Sequence, residues 1–279
     1  MRITESCAAC LYDKQAHITQ DSAYLSEIRN IIDSRNENDT SPYLVYLFNK
    51  VYEKHFGQKP PYREIKKKYN DLVLSMEESL RTRIEASEDP FITAFMFARI
   101  GNYIDFGAMN QVDEETFLHL FDEAALREED TAVMLSFVKQ CRDAQRFLLI
   151  ADNCGEIVLD KLFLEQMNRK FPQIKMSVLV RGGEALNDAT REDAEYVGIH
   201  KAAEVIDNGL PVGGTIYDML PEYAKEAVDR ADVILAKGQG NYESLSGQGR
   251  HIFYSFLCKC ELFTSRFHVP KLTGIFVEE

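Results

Sequence analysis

The feature that most constrains the fold of this chain is a regular alternation of short apolar runs with helical segments after about residue 146. Apolar runs lie over residues 147–151, 176–180, 204–207, 232–236, 252–257 and 273–277. Segments with helical periodicity separate the first four of these runs. This alternation predicts a mostly parallel sheet with helices on both faces, because parallel neighbours need crossover connections. The predicted fold class is α/β.

The chain before residue 146 has a different pattern, in which apolar residues recur at helical spacing. Helix-start signals stand at Ser41-Pro42 and Asp89-Pro90, since Ser and Asp cap helices and proline fits the first helical position. The spacing predicts helices over 62–86, from 90 onward, over 113–126 and over 131–141. We expect a helical region over residues 1–145 that packs with the α/β region, residues 146–279, as one compact unit.

Charge and hydropathy exclude several classes of function. The net charge of −13 disfavours nucleic-acid binding, which needs a basic surface. No apolar run approaches the roughly 20 residues that cross a bilayer, and no basic start followed by an apolar stretch marks a signal peptide. We therefore expect a cytoplasmic protein without a nucleic-acid or membrane partner. The oligomeric state cannot be inferred from the sequence.

Polar side chains follow the first two predicted strands at the point where each strand ends. Asp152 and Asn153 follow the run 147–151, and Asp188 comes after the run 176–180. Ligands of open α/β sheets bind at the carboxyl ends of the strands. Carboxylate and amide oxygens at this edge suit a divalent cation. The alternative is that these residues only cap the helices that follow, because Asp and Asn are good N-caps.

A glycine-rich segment follows the run 232–236. It consists of Lys237, Gly238, Gln239, Gly240 and Asn241. Glycines let the backbone approach a ligand and direct N–H groups at an anion, and lysine supplies a point charge for phosphate. The spacing matches neither a P-loop nor a dinucleotide-binding fingerprint. Arg181, after the second strand, could contact an anionic substrate or pair with Glu184.

Another candidate segment lies in the helical region, over residues 99–107. Two glycines, Asn102 and Asp105 interrupt an apolar helical pattern there. One interpretation is a helix end followed by a turn. The other is that Asn102 or Asp105 reaches over the sheet edge to the site.

The six cysteines are expected to be reduced thiols, since the chain is long and carries no secretion signal. Cys7-x-x-Cys10 lacks a second nearby pair and is a weak zinc motif. Cys260 could supply a third sulfur. The sequence leaves buried thiols, a metal role and a redox role open for these residues.

Taken together, the motifs resemble the damage-control phosphatase family, first catalogued as domain of unknown function 89. The matching segments are Asp-Asn-x-Gly-Glu from Asp152, Asn-Asp-Ala-Thr from Asn187 and Lys-Gly-Gln-Gly-Asn-Tyr-Glu from Lys237. Gly-Asn-x-Ile-Asp from Gly101 and Cys7-x-x-Cys10 resemble its prokaryotic subgroup. The resemblance implies a helical N-terminal region on a Rossmann-like α/β/α core. It also implies metal ligands at Asp152, Asn153 and Asp188 and a phosphate-binding loop over 237–242.

The activity implied by this resemblance is metal-dependent hydrolysis of small phosphorylated metabolites, such as sugar phosphates, nucleotides or related damaged metabolites. Mn²⁺, Co²⁺, Ni²⁺ and Mg²⁺ all suit oxygen ligands. The candidates for phosphate or substrate binding are Lys237, Gly238, Gln239, Gly240, Asn241, Arg181 and Asn102.

The nucleophile is left open between a water beside the cation and the carboxylate of Asp152. Asp105 and Glu156 are candidates for proton transfer. Two other functions remain possible from the sequence. One is an S-adenosylmethionine-dependent carboxyl methyltransferase, and the other is a sensor that binds a phosphorylated metabolite without turnover.

Overall fold

The computed structural model describes residue 1 and residues 3–104 and 114–279. Within them the helices are α1 (Glu5–Ile18), α2 (Ser22–Asp33), α3 (Ser41–Phe56), α4 (Arg63–Ala86), α5 (Pro90–Gly101), α6 (Glu114–Leu120), α7 (Glu128–Asp143), α8 (Glu156–Lys170), α9 (Arg191–Tyr196), α10 (Glu222–Arg230), α11 (Gln239–Leu245) and α12 (Glu261–Phe267). The strands are β1 (Arg146–Ile150), β2 (Lys175–Val180), β3 (Glu204–Asp207), β4 (Val233–Lys237), β5 (Phe253–Leu257) and β6 (Gly274–Glu278).

The six strands form one sheet in the order β3-β2-β1-β4-β5-β6. All neighbouring pairs are parallel except β5 and β6, which are antiparallel. The predicted α/β class with a mostly parallel sheet is therefore confirmed. The strand order reverses between β1 and β4, and open α/β sheets bind ligands at such a point, beyond the carboxyl ends of the strands.

Two hydrophobic clusters cover the two faces of the sheet, because side chains alternate along each strand. Phe147 and Leu149 point into the larger cluster, which also contains side chains of α4, α5, α7 and α8. Leu148 and Ile150 point into the other cluster, with side chains of α10, α11 and α12. Helices α4, α5 and α7 therefore share a continuous core with one face of the sheet, while α1–α3 form a separate hydrophobic cluster.

The helices of the first region follow the predicted pattern, with one difference in length. Asp89 caps α5 as expected, and its carboxylate accepts from the N–H groups of Phe91 and Ile92 at 3.0 and 3.1 Å. The helix predicted over 113–126 is shorter, because the described helix α6 ends at Leu120. Helix α12 has no counterpart in the prediction. Among the described residues, no helix combines the length and the apolar character needed to span a membrane.

Candidate functional site

The turn after β1 places two polar side chains at the reversal point of the sheet. Asp152 and Asn153 are 7% and 2% exposed. The cap of α8 is Gly155, with φ +80°, and its N–H donates to Asn70 Oδ1 on α4 at 2.7 Å. Neither Asp152 nor Asn153 is the N-cap residue, so both side chains are available for other contacts.

The segment after β2 brings Asp188 beside this turn. Asn153 and Asp188 form an isolated antiparallel bridge, and Ala189 N–H donates to the Asp152 carbonyl at 2.7 Å. Asp188 is not a helix cap either, since Thr190 starts α9 and its N–H and hydroxyl donate to Asp193 at 2.9 and 2.6 Å. The structure therefore brings Asp152, Asn153 and Asp188 together at the sheet edge.

Arg181 connects the two aspartates. Its Nε donates to Asp188 Oδ2 at 2.6 Å, and its Nη2 lies 3.4 Å from Asp152 Oδ1. Its Nη1 donates to Asn241 Oδ1 at 3.2 Å and to Thr215 Oγ1 at 3.3 Å. The guanidinium is 1% exposed. The contacts of Arg181 are thus to the candidate metal ligands rather than to Glu184, which was one of its two predicted partners.

Asn102 reaches the site from the C-terminal end of α5. Its Nδ2 donates to Asp152 Oδ2 at 2.9 Å and to Glu156 Oε2 at 3.0 Å, while its Oδ1 accepts from Leu257 N–H at 3.1 Å. The residue is fully buried. The helical region therefore contributes a hydrogen-bond donor to the carboxylates of the sheet edge. Asp105, the other candidate of this segment, lies outside the described residues.

Glu156, in the first turn of α8, is also fully buried. Its Oε2 accepts from the backbone N–H of Asn153 at 3.3 Å and from Asn153 Nδ2 at 3.1 Å. Asn153 Nδ2 also donates to Asp152 Oδ2 at 2.7 Å. Two side-chain amides, those of Asn102 and Asn153, therefore link the carboxylates of Asp152 and Glu156. These contacts favour an anchoring role for Glu156 over proton transfer.

Lys237 has other partners than the predicted phosphate. Its Nζ donates to Asp160 Oδ1 at 2.6 Å, to Glu156 Oε1 at 2.7 Å and to the Ala98 carbonyl at 3.0 Å. An ammonium group has three hydrogens, so these acceptors use its full capacity. The expectation of a direct lysine–phosphate contact is therefore not supported by this arrangement, because the side chain points from β4 into the core beside α5 and α8.

Burial and charge act in opposite directions on this buried pair. Burial alone would lower the pKa of Lys237, but Asp160 and Glu156 outweigh it and the pKa is raised. Burial, with Glu156 nearby, raises the pKa of Asp160 to about 7 although Lys237 opposes the shift. The lysine therefore stays charged near neutral pH.

The glycine-rich segment after β4 packs directly against the aspartate site. Gly238 has φ +80°, and a Cβ added there would lie 1.9 Å from Asp152 Oδ2. A Cβ at Gly240 would lie 2.1 Å from the Gly213 carbonyl. Only glycine allows both approaches. Helix α11 begins at Gln239, and Asn241 Nδ2 donates to the carbonyls of Lys237 and Ala151 at 2.7 and 3.1 Å.

The cysteines do not join this site as a group. All six are free thiols, with Cys10 and Cys260 exposed and Cys7 intermediate. In the part of the chain that the structure describes, no three or more His, Cys, Asp or Glu side chains form a cluster suited to a metal ion. The candidate set at the sheet edge differs from such a cluster, because one of its three members is an amide.

Two residues of this region escaped the sequence prediction. Asp160 lies four residues after Glu156, on the same face of α8, and that spacing signals a shared partner. Lys259 follows β5 just as the predicted residues follow β1 and β4. It is 3% exposed, and its N–H donates to Gln239 Oε1 at 2.6 Å.

Comparison with known proteins shows that this sequence and fold are similar to those of one family. Residues 2–272 match the damage-control phosphatase ARMT1-like domain. A damage-control phosphatase of Archaeoglobus fulgidus is 31% identical, over 94% of this chain and 93% of the relative. The damage-control phosphatase PH1575 of Pyrococcus horikoshii is 27% identical, over 97% and 96%. A crystal structure of PH1575, described as a DUF89 family protein, superimposes with a TM-score of 0.81 at 26% identity and covers 98% of both chains.

The α/β fold and the named relatives identify a phosphatase, and the hydrolase class predicted from the motifs is confirmed at the level of the family. The chain belongs to the damage-control phosphatase ARMT1-like family.

Proposed function

We propose that this chain is a metal-dependent phosphoric-ester hydrolase that acts on small phosphorylated metabolites. Asp152, Asn153 and Asp188 hold the cation in this proposal. Its relatives from Archaeoglobus and Pyrococcus are named damage-control phosphatases, which supports the phosphatase activity. The substrate class follows the family: sugar phosphates, nucleotides or related damaged metabolites.

The charge balance at the sheet edge is the observation that carries the metal dependence. Hydrogen bonds connect four carboxylates, those of Asp152, Glu156, Asp160 and Asp188, with the basic groups of Arg181 and Lys237. Each of these residues is at most 7% exposed. Two negative charges remain when all are ionised and one remains when Asp160 is protonated, and either excess is costly in a buried site. A divalent cation compensates this excess.

The donor set suits a hard or borderline divalent cation. Two carboxylates and one amide oxygen leave room in a six-coordinate shell for water and a phosphate oxygen. Mn²⁺, Co²⁺, Ni²⁺ and Mg²⁺ all accept such ligands. When bound, the cation supplies charge stabilisation for the phosphoryl group. Arg181 contacts one oxygen of each aspartate and keeps the two carboxylates in a fixed relative position. Asn102 donates to Oδ2, the other oxygen of Asp152.

The anion of the substrate needs protein donors in an acidic chain. Arg181 and Asn241 border the aspartates, and the first turn of α11, residues 239–241, contributes N–H groups that have no intrahelical acceptor. The N–H of Gly238 is not among them, because it donates to the Ser255 carbonyl at 3.1 Å. Lys259 supplies the positive charge of this subsite in our proposal, because Lys237 is committed to Glu156 and Asp160. Preorganised donors of this kind account for much of the catalysis of phosphoryl transfer.

The nucleophile is either the Asp152 carboxylate or a water beside the cation. In the first route, the Asp152 carboxylate would form a bond to phosphorus as the P–O bond to the ester oxygen breaks, and the alcohol would leave with a proton from solvent. Water would then hydrolyse the acyl phosphate, release inorganic phosphate and restore Asp152. Glu156 stays a hydrogen-bond acceptor in both routes, since Lys237 and two amides occupy its oxygens. Trapping of a phosphorylated protein by rapid acid quench distinguishes the two.

Removal of divalent metal tests the proposed function. Protein stripped with EDTA and dialysed is expected to lose hydrolysis of p-nitrophenyl phosphate and to regain it with one or more of Mn²⁺, Co²⁺, Ni²⁺ and Mg²⁺. A thermal-shift comparison with S-adenosylmethionine covers the methyltransferase alternative. Full activity after complete metal removal, or stabilisation by S-adenosylmethionine alone, would contradict the proposal.

Lys259→Met is expected to raise the KM for phosphate esters by about 10- to 100-fold, because a charge-assisted hydrogen bond contributes about 1.5–3 kcal/mol. Cation affinity is expected to stay within about twofold, since Lys259 is not a proposed ligand. The measurement is a set of initial rates against substrate concentration at saturating Mn²⁺. Lys271→Met, at an exposed lysine beyond α12, is the control. An unchanged KM in Lys259→Met would remove this lysine from the substrate subsite.

A further inference from the structure

The carboxylate of Asp160 is unusual among the buried groups of this protein. It has no exposed surface, and its Oδ1 accepts from Lys237 Nζ at 2.6 Å. Its Oδ2 is buried without a hydrogen-bond partner among the described residues. Such an oxygen costs free energy of folding and calls for an explanation. Neutralising Lys237 does not provide one, because Glu156 already supplies a carboxylate at 2.7 Å.

What Asp160 adds is a fixed position for the ammonium group. Lys237 Nζ donates to three acceptors that lie in different directions. Two are the carboxylates of Glu156 and Asp160 on α8, and the third is the Ala98 carbonyl on α5. In this position it contacts only the Oε1 atom of Glu156. Without Asp160, one of the three directions is lost, and the ammonium group can move toward Oε2 and compete for it.

The Oε2 atom of Glu156 is the atom that orients the amides. It accepts from Asn102 Nδ2 at 3.0 Å and from Asn153 Nδ2 at 3.1 Å. A carboxamide has a donor end and an acceptor end. Because the donor end of Asn153 faces Glu156 and Asp152, its Oδ1 is the end left to face a cation. A reversed amide would present hydrogens to the cation and repel it.

We propose that Asp160 is a positioning residue of the cation site, which acts through Lys237 and Glu156 to fix the orientation of the Asn153 carboxamide. The inference rests on the proposed function, because it assumes that Asn153 is a ligand. Outer partners of metal ligands commonly change metal affinity by about 10- to 100-fold when they are removed. Two residues, Lys237 and Glu156, stand between Asp160 and the proposed ligand Asn153. The effect of Asp160 therefore passes through a chain of three buried hydrogen-bond contacts.

The test is Mn²⁺ binding by isothermal titration calorimetry to the full-length protein and to the Asp160→Ala and Asp160→Asn variants. Asp160→Ala is expected to weaken Mn²⁺ binding by about 10- to 100-fold. Asp160→Asn keeps an oxygen acceptor for Lys237 and is expected to lose severalfold less. Glu165→Gln is the matched control, since Glu165 is also on α8 but pairs with Arg81 away from the site.

Each outcome decides the inference. Equal losses in the alanine and asparagine variants would show that only the charge of Asp160 matters and would overturn a positioning role. Unchanged affinity in both would do the same while leaving the metal site intact. Wild-type protein that binds no Mn²⁺ overturns the proposed function and this inference with it. Urea unfolding checks that each variant folds. If Asp160→Ala does not fold, Asp160→Leu decides instead, because it also lacks an acceptor but keeps the side-chain volume, and affinity within twofold of wild type in Asp160→Leu would overturn the proposal.

Discussion

Replacing Asp152 or Asp188 with alanine is expected to lower bound metal below one-tenth of the wild-type occupancy and to reduce metal-stimulated hydrolysis of p-nitrophenyl phosphate about a thousandfold, or ~4 kcal/mol. Each change removes one of the two carboxylates that we propose as ligands of the cation. Each also leaves the buried Arg181 with one ion-pair partner instead of two, so the guanidinium charge opposes the cation more strongly. Metal content by mass spectrometry and initial rates are the measurements.

Asp207 offers a matched control for these substitutions. It is the last residue of β3, so it too stands at the carboxyl end of a parallel strand. Its carboxylate contacts Arg191 at 3.0 Å and Tyr223 at 2.7 Å rather than the aspartate site. Asp207→Ala is expected to keep its metal and its rate. Wild-type activity in Asp152→Ala or Asp188→Ala would rule out the assigned ligands.

Gly238→Ala is expected to reduce hydrolysis by at least about a hundredfold without removing any functional group. The added Cβ would lie 1.9 Å from Asp152 Oδ2 and 2.2 Å from its Cγ. The carboxylate must therefore move by more than 1 Å, and a misplacement of that size costs about a hundredfold in rate. Initial rates over a Mn²⁺ titration are the measurement, with urea unfolding to follow stability.

Gly57 separates this steric effect from backbone strain. It has φ +80° and ψ −173°, close to the φ +80° and ψ 157° of Gly238, in a region that is open almost only to glycine. A Cβ at Gly57 would meet nothing within 4 Å. Both alanine variants are expected to lose about 1–3 kcal/mol of unfolding free energy from the backbone, but only Gly238→Ala loses activity. Equal rates in the two variants would contradict the predicted contact.

Local signals along the chain predicted the elements of the fold well. The apolar runs at 147–151 and 232–236 correspond to β1 and β4 to within one residue at each end. The helix start at Asp89-Pro90 can be predicted because an N-cap side chain contacts N–H groups only two and three residues further along the chain. Such features involve neighbours in the chain, so composition and spacing are sufficient to locate them.

The orientation of Lys237 could not be predicted in the same way. Alternation along β4 puts it on the face of Val233 and Leu235, but nothing local says that α8 covers this face and brings Asp160 and Glu156 there. The contact of Asn102 with Asp152 likewise joins residues fifty positions apart. It depends on how α5 packs on α8, which is a property of the assembled core.

Because Asn102 connects the helical region to the sheet edge, the helical region cannot be exchanged without affecting that edge. Helix α5 of the helical region ends at the amide that donates to Asp152 and Glu156, so an exchange of this region also changes the partners of the proposed cation ligands. Grafting a relative's helices onto this sheet would therefore reset ion affinity along with selectivity. Substrate choice and cofactor loading are expected to change together in such chimaeras, rather than as independent modules.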